Sequence, residues 1–251
     1  MLDLGVVMPV FNEEGCIVKV VRSWTIALSA LGIQFRLFIL NDGSKDGTKE
    51  ALEAFKSDYR VEIINKQNSG HGSTILMGYQ KAVKVADWTF QCDSDDEMKP
   101  DYFNRLWARR EDFDALFGSR TDREQNIGRK LISAYSRGVV RIFFGTGVYD
   151  VNTPYRLIRS HLLEQIVNQI PADTFAPNVI ISGVLNKYKL RIFEYPVPHE
   201  NRKTGKVSIV KWKLWESAAK AFWQTLLCRI TLRDVSYRHA QVYSKNSKNG
   251  G

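Results

Sequence analysis

In the first half of the chain, short apolar runs alternate with segments whose apolar residues recur at helical spacing. No other feature narrows the fold as much, because that alternation is the signature of βαβ units and a mostly parallel sheet. LGVVMPV (Leu4 to Val10), FRLFIL (Phe35 to Leu40), VEIIN (Val61 to Asn65) and DWTF (Asp87 to Phe90) read as strands. After the first, Asn12 can cap a helix with Glu13 and Glu14 in its first turn, where the helix dipole favours acids. Ile17, Val21, Trp24, Leu28 and Leu31 repeat at helical spacing and form its buried stripe. A short helix is expected over Lys49 to Phe55, and a longer one with Ile75, Tyr79, Ala82 and Ala86 on one side. Each strand is followed by a polar turn bearing Gly or Asp, and ligands gather at the carboxyl ends of parallel strands.

The second half is less regular. A helix starts at Pro100, a good first helical residue, and ALFGSR (Ala115 to Arg120) reads as a further strand. RKLISAYSRGVVRIFFG is helical, with Leu131, Tyr135, Val139 and Phe143 in register. TPYRLI is a short strand, PNVIISGVLNKY a helix from Pro177, and LRIFEYPVP ends in prolines as an edge strand would. From Lys211 to Ile230, Trp212, Trp215, Ala219, Phe222, Leu226 and Ile230 make an apolar stripe. We expect one domain through residue 208, a helical extension over 209–240 and a disordered tail over 241–251.

A chain of 251 residues, 44% hydrophobic and 25% charged, can bury a substantial core and has no disorder signature. Its 36 Lys and Arg against 27 Asp and Glu give a formal charge of +9, which calls for an anionic partner. The positive residues are dispersed, and no RNP-type or zinc pattern occurs, so nucleic acid is not the expected one. Cys16, Cys92 and Cys228 are widely separated and lack CxxC spacing, which fits a reducing, cytoplasmic compartment. The start moves directly into a strand pattern, so no signal peptide is expected. No apolar run approaches a membrane span. Trp212, Trp215, Phe222 and Trp223 beside Lys211, Lys213, Lys220 and Arg229 have interfacial character, and the same stripe also suits a core or a homo-oligomer contact.

Against this basic background, QCDSDDEMKP puts Asp93, Asp95, Asp96 and Glu97 into five positions. On an extended chain Asp93 and Asp95 share a face roughly 6.6 Å apart. Two such charges repel by roughly 2.5 kcal/mol at an effective dielectric of about 20. A divalent cation would offset that, and a solvated acidic turn is the alternative reading of this segment by itself.

Read in order, PVFNEE, NDGSKDGT, NSGHGSTILMGYQKA, CDSDDEMKP and FGSR resemble the family-2 nucleotide-sugar glycosyltransferases. The resemblance covers residues 4 to 208 and is nearest to the dolichol-phosphate mannose synthase and polyprenyl-phosphate glycosyltransferase branch. It implies an α/β fold of GT-A type: a Rossmann-like nucleotide-binding sheet flanked by helices, with a C-terminal helical extension. It implies a metal-dependent, inverting transfer from a nucleotide-diphosphate sugar to a lipid phosphate, or else to a saccharide hydroxyl. By the same resemblance, Pro9, Phe11, Glu13 and Asp42 line the base and ribose pocket, with Asn41 standing where the family usually has an aspartate. Asp93 and Asp95 match the DxD motif for Mg²⁺ or Mn²⁺, with Asp93 also facing the nucleotide sugar and Glu97 close to the metal. Asp96 is expected to point away, solvated or capping. Arg120, Arg129, Ser133 and Arg202 correspond to phosphate contacts, Arg120 also to a catalytic position. Arg202, Gly205 and Ser208 resemble an acceptor loop, one residue longer than the commonest form. Asp150 corresponds to an aspartate near the acceptor: a general base for a hydroxyl, an orienting group for a phosphate. TFAPNVIISG lacks the acidic residue that the branch often has near Asn178. The expected location is cytoplasmic, peripheral at the inner face of a membrane.

Overall fold

A computed structural model describes residues 1–121, 138, 150–199 and 222–231. Its core is a seven-stranded sheet: β1 (Leu2–Val10), β2 (Phe35–Asp42), β3 (Val61–Lys66), β4 (Ala86–Gln91), β5 (Ala115–Thr121), β6 (Arg156–Arg159) and β7 (Ile192–Pro198). The order across the sheet is β3-β2-β1-β4-β6-β5-β7. The β3, β2, β1 and β4 strands run parallel, β6 is antiparallel to β4 and β5, and β7 is parallel to β5 at the edge. Chain order moves outward from β1 to β3 and then returns to β4 on the other side of β1. The ends of β1 and β4 therefore open the crevice at which such sheets receive ligands.

Helices α1 (Ile17–Ala30), α2 (Thr48–Leu52), α3 (His71–Ala82), α4 (Phe103–Trp107), α5 (Ser160–Val167) and α6 (Pro177–Lys187) cover the sheet. One buried cluster gathers Leu4, Val6 and Met8 with Ile17, Trp24 and Leu28 of α1. The other gathers Val7 with Ile75 and Tyr79 of α3, Leu163 of α5 and Ile181 of α6. Alternation along β1 thus feeds both faces of a sheet buried on two sides. Gly78 is demanded by the close approach of α3 to β1: a Cβ there would lie 2.3 Å from Val7 Cγ1.

The expected βαβ order holds, with four local corrections. Asn12 does not cap α1. It adopts a left-handed φ of 57°, which Asn tolerates, and the helix starts at Ile17 after a turn in which Glu13 O accepts from Cys16 N and Ile17 N. Leu31 lies beyond the last helical residue and is 41% exposed, because Gly32 at φ 67° turns the chain away. Ala86 is the first residue of β4 rather than part of the α3 stripe. Finally, α5 was not anticipated, although Leu162, Leu163, Ile166 and Val167 carry its buried face.

Residues 222–231 are helical, and they join the core rather than stand apart: Cys228 belongs to the α3–α5–α6 cluster. Gln224 fixes the rotation of this helix, accepting from Phe175 N at 2.8 Å and donating to Asp173 O at 3.2 Å. Thr225 and Cys228 are buried as a result. Ile230, expected in the buried stripe, is 73% exposed beside exposed Trp223 and Leu227. Among the described residues no helix is long and apolar enough to cross a membrane. Apart from Gly138, which is helical, the expected 129–145 helix lies outside the described residues, as do Arg129, Ser133, Arg202, Gly205, Ser208, Trp212, Trp215 and the tail.

Candidate active site

Two loops meet at the β1 end of the crevice. Phe11 to Glu14 follows β1, and Gly43 to Thr48 follows β2. Asn12 N donates to Ser44 Oγ at 2.9 Å, and Lys45 N donates to Asn12 Oδ1 at 2.8 Å. Gly47 N donates to Glu14 Oε2 at 2.7 Å, and Glu13 N to Thr48 Oγ1 at 2.8 Å. Asn41 closes the NDGS turn by accepting from Ser44 N, and its amide donates to Asn65. Pro9 is buried within β1 and Phe11 is half-buried at its exit.

Asp42 is committed to structure. Its carboxylate pairs with Lys66 and accepts from Ser69 N at 2.9 Å and Gly70 N at 3.0 Å, pinning the loop that starts α3. Burial pushes its pKa up, but the bonds from Lys66, Ser69 and Thr74 outweigh burial and hold it below the ordinary range.

The acidic cluster begins where β4 ends. Past Gln91 the chain bends, and Asp96 takes a left-handed φ of 62°. Asp93 and Asp95 are therefore neighbours through a turn rather than through strand alternation. Asp96, expected to be solvated or capping, is neither: Lys19 at 2.6 Å and Lys99 at 2.7 Å hold it. The other acids remain crowded. Burial, then Asp93, Glu97 and Glu13, push Asp95 up to about 8, against a single opposing bond from Glu97 N. Asp93 Oδ1 is buried with no hydrogen-bond partner. Cys16 ties the segment after β1 to the acidic turn, donating to Glu13 Oε2 at 3.3 Å and Ser94 O at 3.4 Å.

The third wall comes from β5 and the turn before β6. Arg120 grips Asp150 with both arms of its guanidinium, Nε to Oδ2 at 2.7 Å and Nη2 to Oδ1 at 2.8 Å. Burial works against the Asp150 carboxylate, but Arg120 overcomes it and holds the pKa below the ordinary range. The fields of Asp93 and Glu97 also reach Arg120. Sequence reasoning missed two residues here. His199, just past β7, donates from Nε2 to Glu97 Oε2 at 2.8 Å, and its Nδ1 is buried without a partner. Glu194 accepts from Asp150 N at 3.3 Å. Both contacts join distant segments, and no local pattern announces them.

The structure thus gathers Glu13, Asp93, Asp95, Glu97, Arg120 and Asp150 at one end of the sheet, while Asp42 holds the loop before α3. An orphaned carboxylate oxygen beside a carboxyl raised by its neighbours suits a hard divalent cation, which takes oxygen ligands. Among the described residues no three acidic, His or Cys side chains form a closed metal-binding set.

Residues 5–167 match the family model for glycosyl transferase family 2. The chain is 27% identical over 207 residues to an undecaprenyl-phosphate 4-deoxy-4-formamido-L-arabinose transferase of Klebsiella pneumoniae subsp. pneumoniae, covering 80% of this chain and 61% of that protein. It therefore spans less than two thirds of the length of the curated relatives it matches. Its fold resembles glucosyl-3-phosphoglycerate synthase from Mycobacterium tuberculosis crystallised with phosphoglyceric acid, at a TM-score of 0.66 and 16% identity over 93% of this chain and 81% of that one. The same enzyme with Mn²⁺, uridine diphosphate and glucosyl-3-phosphoglycerate gives 0.65 at the same identity and coverage. With the α/β sheet in place and the family model spanning both sides of the crevice, the chain belongs to glycosyl transferase family 2.

Proposed function

We propose that the chain transfers a sugar from a nucleotide-diphosphate sugar to a phosphate-bearing acceptor of the polyprenyl-phosphate kind. The observation that carries this reading is the Arg120–Asp150 pair. A hydroxyl acceptor needs a base to take its proton as the oxygen attacks. Asp150 is a poor base: both its oxygens are occupied by Arg120 and its proton affinity is depressed. A phosphate acceptor is already an anion and needs no base. One C–O bond forms at the anomeric carbon as the bond to the departing diphosphate breaks, which inverts that carbon and moves no proton.

Asp93 and Asp95 would hold Mg²⁺ or Mn²⁺, with Glu97, paired to His199, close to the ion, which would supply a Lewis acid for the charge of the leaving diphosphate. The chain's own residues do the rest. Pro9, Phe11, Glu13 and the Asp42 turn border the nucleotide. Asp150 aims the Arg120 fork, a group suited to phosphate oxygens; Arg129, Ser133 and Arg202 are the further phosphate contacts that the family resemblance implies. The relative's use of undecaprenyl phosphate supports a lipid-phosphate acceptor. The exposed Trp223, Leu227 and Ile230 on one helix support peripheral contact with the inner face of a membrane.

Incubating the protein with Mn²⁺, a panel of uridine and guanosine diphosphate sugars and a short-chain polyprenyl phosphate tests the reading. Glycosyl phosphate lipid is the expected product. Transfer to neutral saccharides with none to the lipid phosphate overturns the acceptor class.

A further inference from the structure

One buried cation has had no role above. Arg156, at the start of β6, is fully buried; the fields of Asp150 and Asp93 reach it, but its hydrogen bonds go elsewhere. Neutral acceptors surround it. Nε donates to Thr153 O at 2.9 Å, Nη2 to Val151 O at 3.1 Å, and Nη1 to Asn178 O at 3.2 Å and Ser182 Oγ at 3.4 Å. The guanidinium lies over the Phe117 ring, 4.8 Å from its centroid. Burying a charge on neutral partners is costly, and an apolar side chain of similar volume would fill the space more cheaply.

The identity of those acceptors explains the arginine. Val151 and Thr153 form the turn that follows Asp150. Asn178 and Ser182 sit one turn apart on α6. Ser182 Oγ also donates to Val151 O at 2.8 Å, while Thr153 Oγ1 donates to Gly118 O at 2.6 Å, on the strand that carries Arg120. Asn178 turns its side chain the other way, donating to Gln91 Oε1 at 2.8 Å, where Tyr79 also donates at 2.7 Å. Gln91 is the last residue of β4, directly before the acidic cluster. Arg156 and Asn178 therefore join the two walls of the site: the turn bearing Asp150 and the strand end bearing Asp93 and Asp95.

We propose that Arg156 is a positioning residue for transfer, clamping the 151–153 turn so that Asp150 meets Arg120 at a fixed distance from the acidic cluster. The inference rests on the reading that this pair serves the acceptor side. Lysine keeps the charge but replaces the planar fork with a compact ammonium, and Met keeps the volume alone. Arg156→Lys and Arg156→Met are both expected to lower turnover on the order of 100-fold, the scale of a 1 Å misplacement. Affinity for Mn²⁺ with uridine or guanosine diphosphate should stay at the wild-type value.

A double-mutant cycle with Asp150→Asn separates positioning from general weakening. If Arg156 acts through Asp150, the double variant loses little more than Asp150→Asn alone, and hydrogen exchange speeds up at 151–155 before it does elsewhere. Additive losses, or wild-type turnover in Arg156→Lys, overturn the proposal. Should both Arg156 variants fail to fold, Ser182→Ala removes one acceptor from the clamp, and unchanged exchange at 151–153 in that variant overturns it as well. If the wild type transfers sugar to no acceptor, the reaction reading has failed instead. The exchange arm then decides the clamp: unaltered protection at 151–155 in Arg156→Lys refutes it, and selective loss there supports it.

Discussion

Replacing Asp95 with Asn should stabilise the protein when chelator is present and abolish its response to metal. The carboxyl of Asp95 sits at about 8 instead of the ordinary 3.8, owing to burial, then Asp93, Glu97 and Glu13. Between those values the folded chain keeps a proton that the unfolded chain has released. Stability from this group is thus fully present below pH 3.8 and drains away as pH rises through about 8. At about 1.36 kcal/mol per pH unit, the interval has an upper limit on the order of 5 kcal/mol. Asp95 keeps part of its surface in water, and screening leaves about half of that. Asparagine carries no charge to repel, so in EDTA its advantage over wild type should grow by about 2 kcal/mol between pH 5 and pH 8, read from urea unfolding at each pH. Adding Mn²⁺ and nucleoside diphosphate at a hundredfold excess over the dissociation constant should return about 2.7 kcal/mol to the wild type and far less to the variant. Parallel pH curves in EDTA, or equal gains from Mn²⁺, would refute the account of crowded carboxylates awaiting a cation.

Asp150→Asn removes the charge that Arg120 grips. Because the Asp150 pKa is depressed, its stabilisation is fully present above the ordinary carboxylate range and is lost as pH falls through the lowered folded value, so the variant should be less stable than wild type at pH 7, and the gap should narrow as pH falls below 3.8, read by thermal denaturation; a gap constant with pH would contradict it. Gly72→Ala should cost about 1–3 kcal/mol, since a Cβ there would stand 2.2 Å from Thr174 O and 2.3 Å from Phe175 O; unchanged urea unfolding would contradict the packing of α3 against that loop. Replacing Trp223, Leu227 and Ile230 with Ser should leave stability within about 0.5 kcal/mol per site and reduce co-sedimentation with anionic vesicles. Undiminished vesicle binding would exclude this face as the membrane contact.

The parts of the molecule legible in the sequence are those written in local periodicity. β1 to β4 and α3 follow from apolar runs whose spacing changes from two to helical, and Pro177 marks the start of α6 as its fixed φ allows. The acidic cluster was visible because four carboxylates in a basic chain oppose the average composition. Asn12 misled for a physical reason: the same short side chain that caps a helix also tolerates a left-handed backbone, and its bonds to Ser44 and Lys45 select the latter. SHLLEQIV carries the helical spacing of α5 in Leu162, Leu163, Ile166 and Val167, but its eight residues abut the β6 strand with no turn residue to mark the boundary. Arg156, Glu194 and His199 were not legible at all. Each acquires its role from a segment far away in sequence, and only the fold brings the pieces together.

Two aspartates at one sheet end have opposite fates, and the contrast assigns the directions of the site. Asp150 is satisfied within the protein: Arg120 supplies both hydrogen bonds and the compensating charge, so its proton affinity falls. Asp95 is surrounded by its own kind, so its proton affinity rises. Environments that push paired carboxyl groups apart distinguish their tasks. On the proposed reading, the β4 end would attract positive charge from solution and, with it, the diphosphate that such an ion accompanies. The β5 end already holds its cation, and that cation lies within the fields of Asp93 and Glu97. A divalent ion bound at the acids would weaken their hold on Arg120 and leave its fork freer for an incoming anion. Acceptor affinity should then rise when metal and nucleotide are present, and an acceptor dissociation constant that is the same with and without them would count against this coupling.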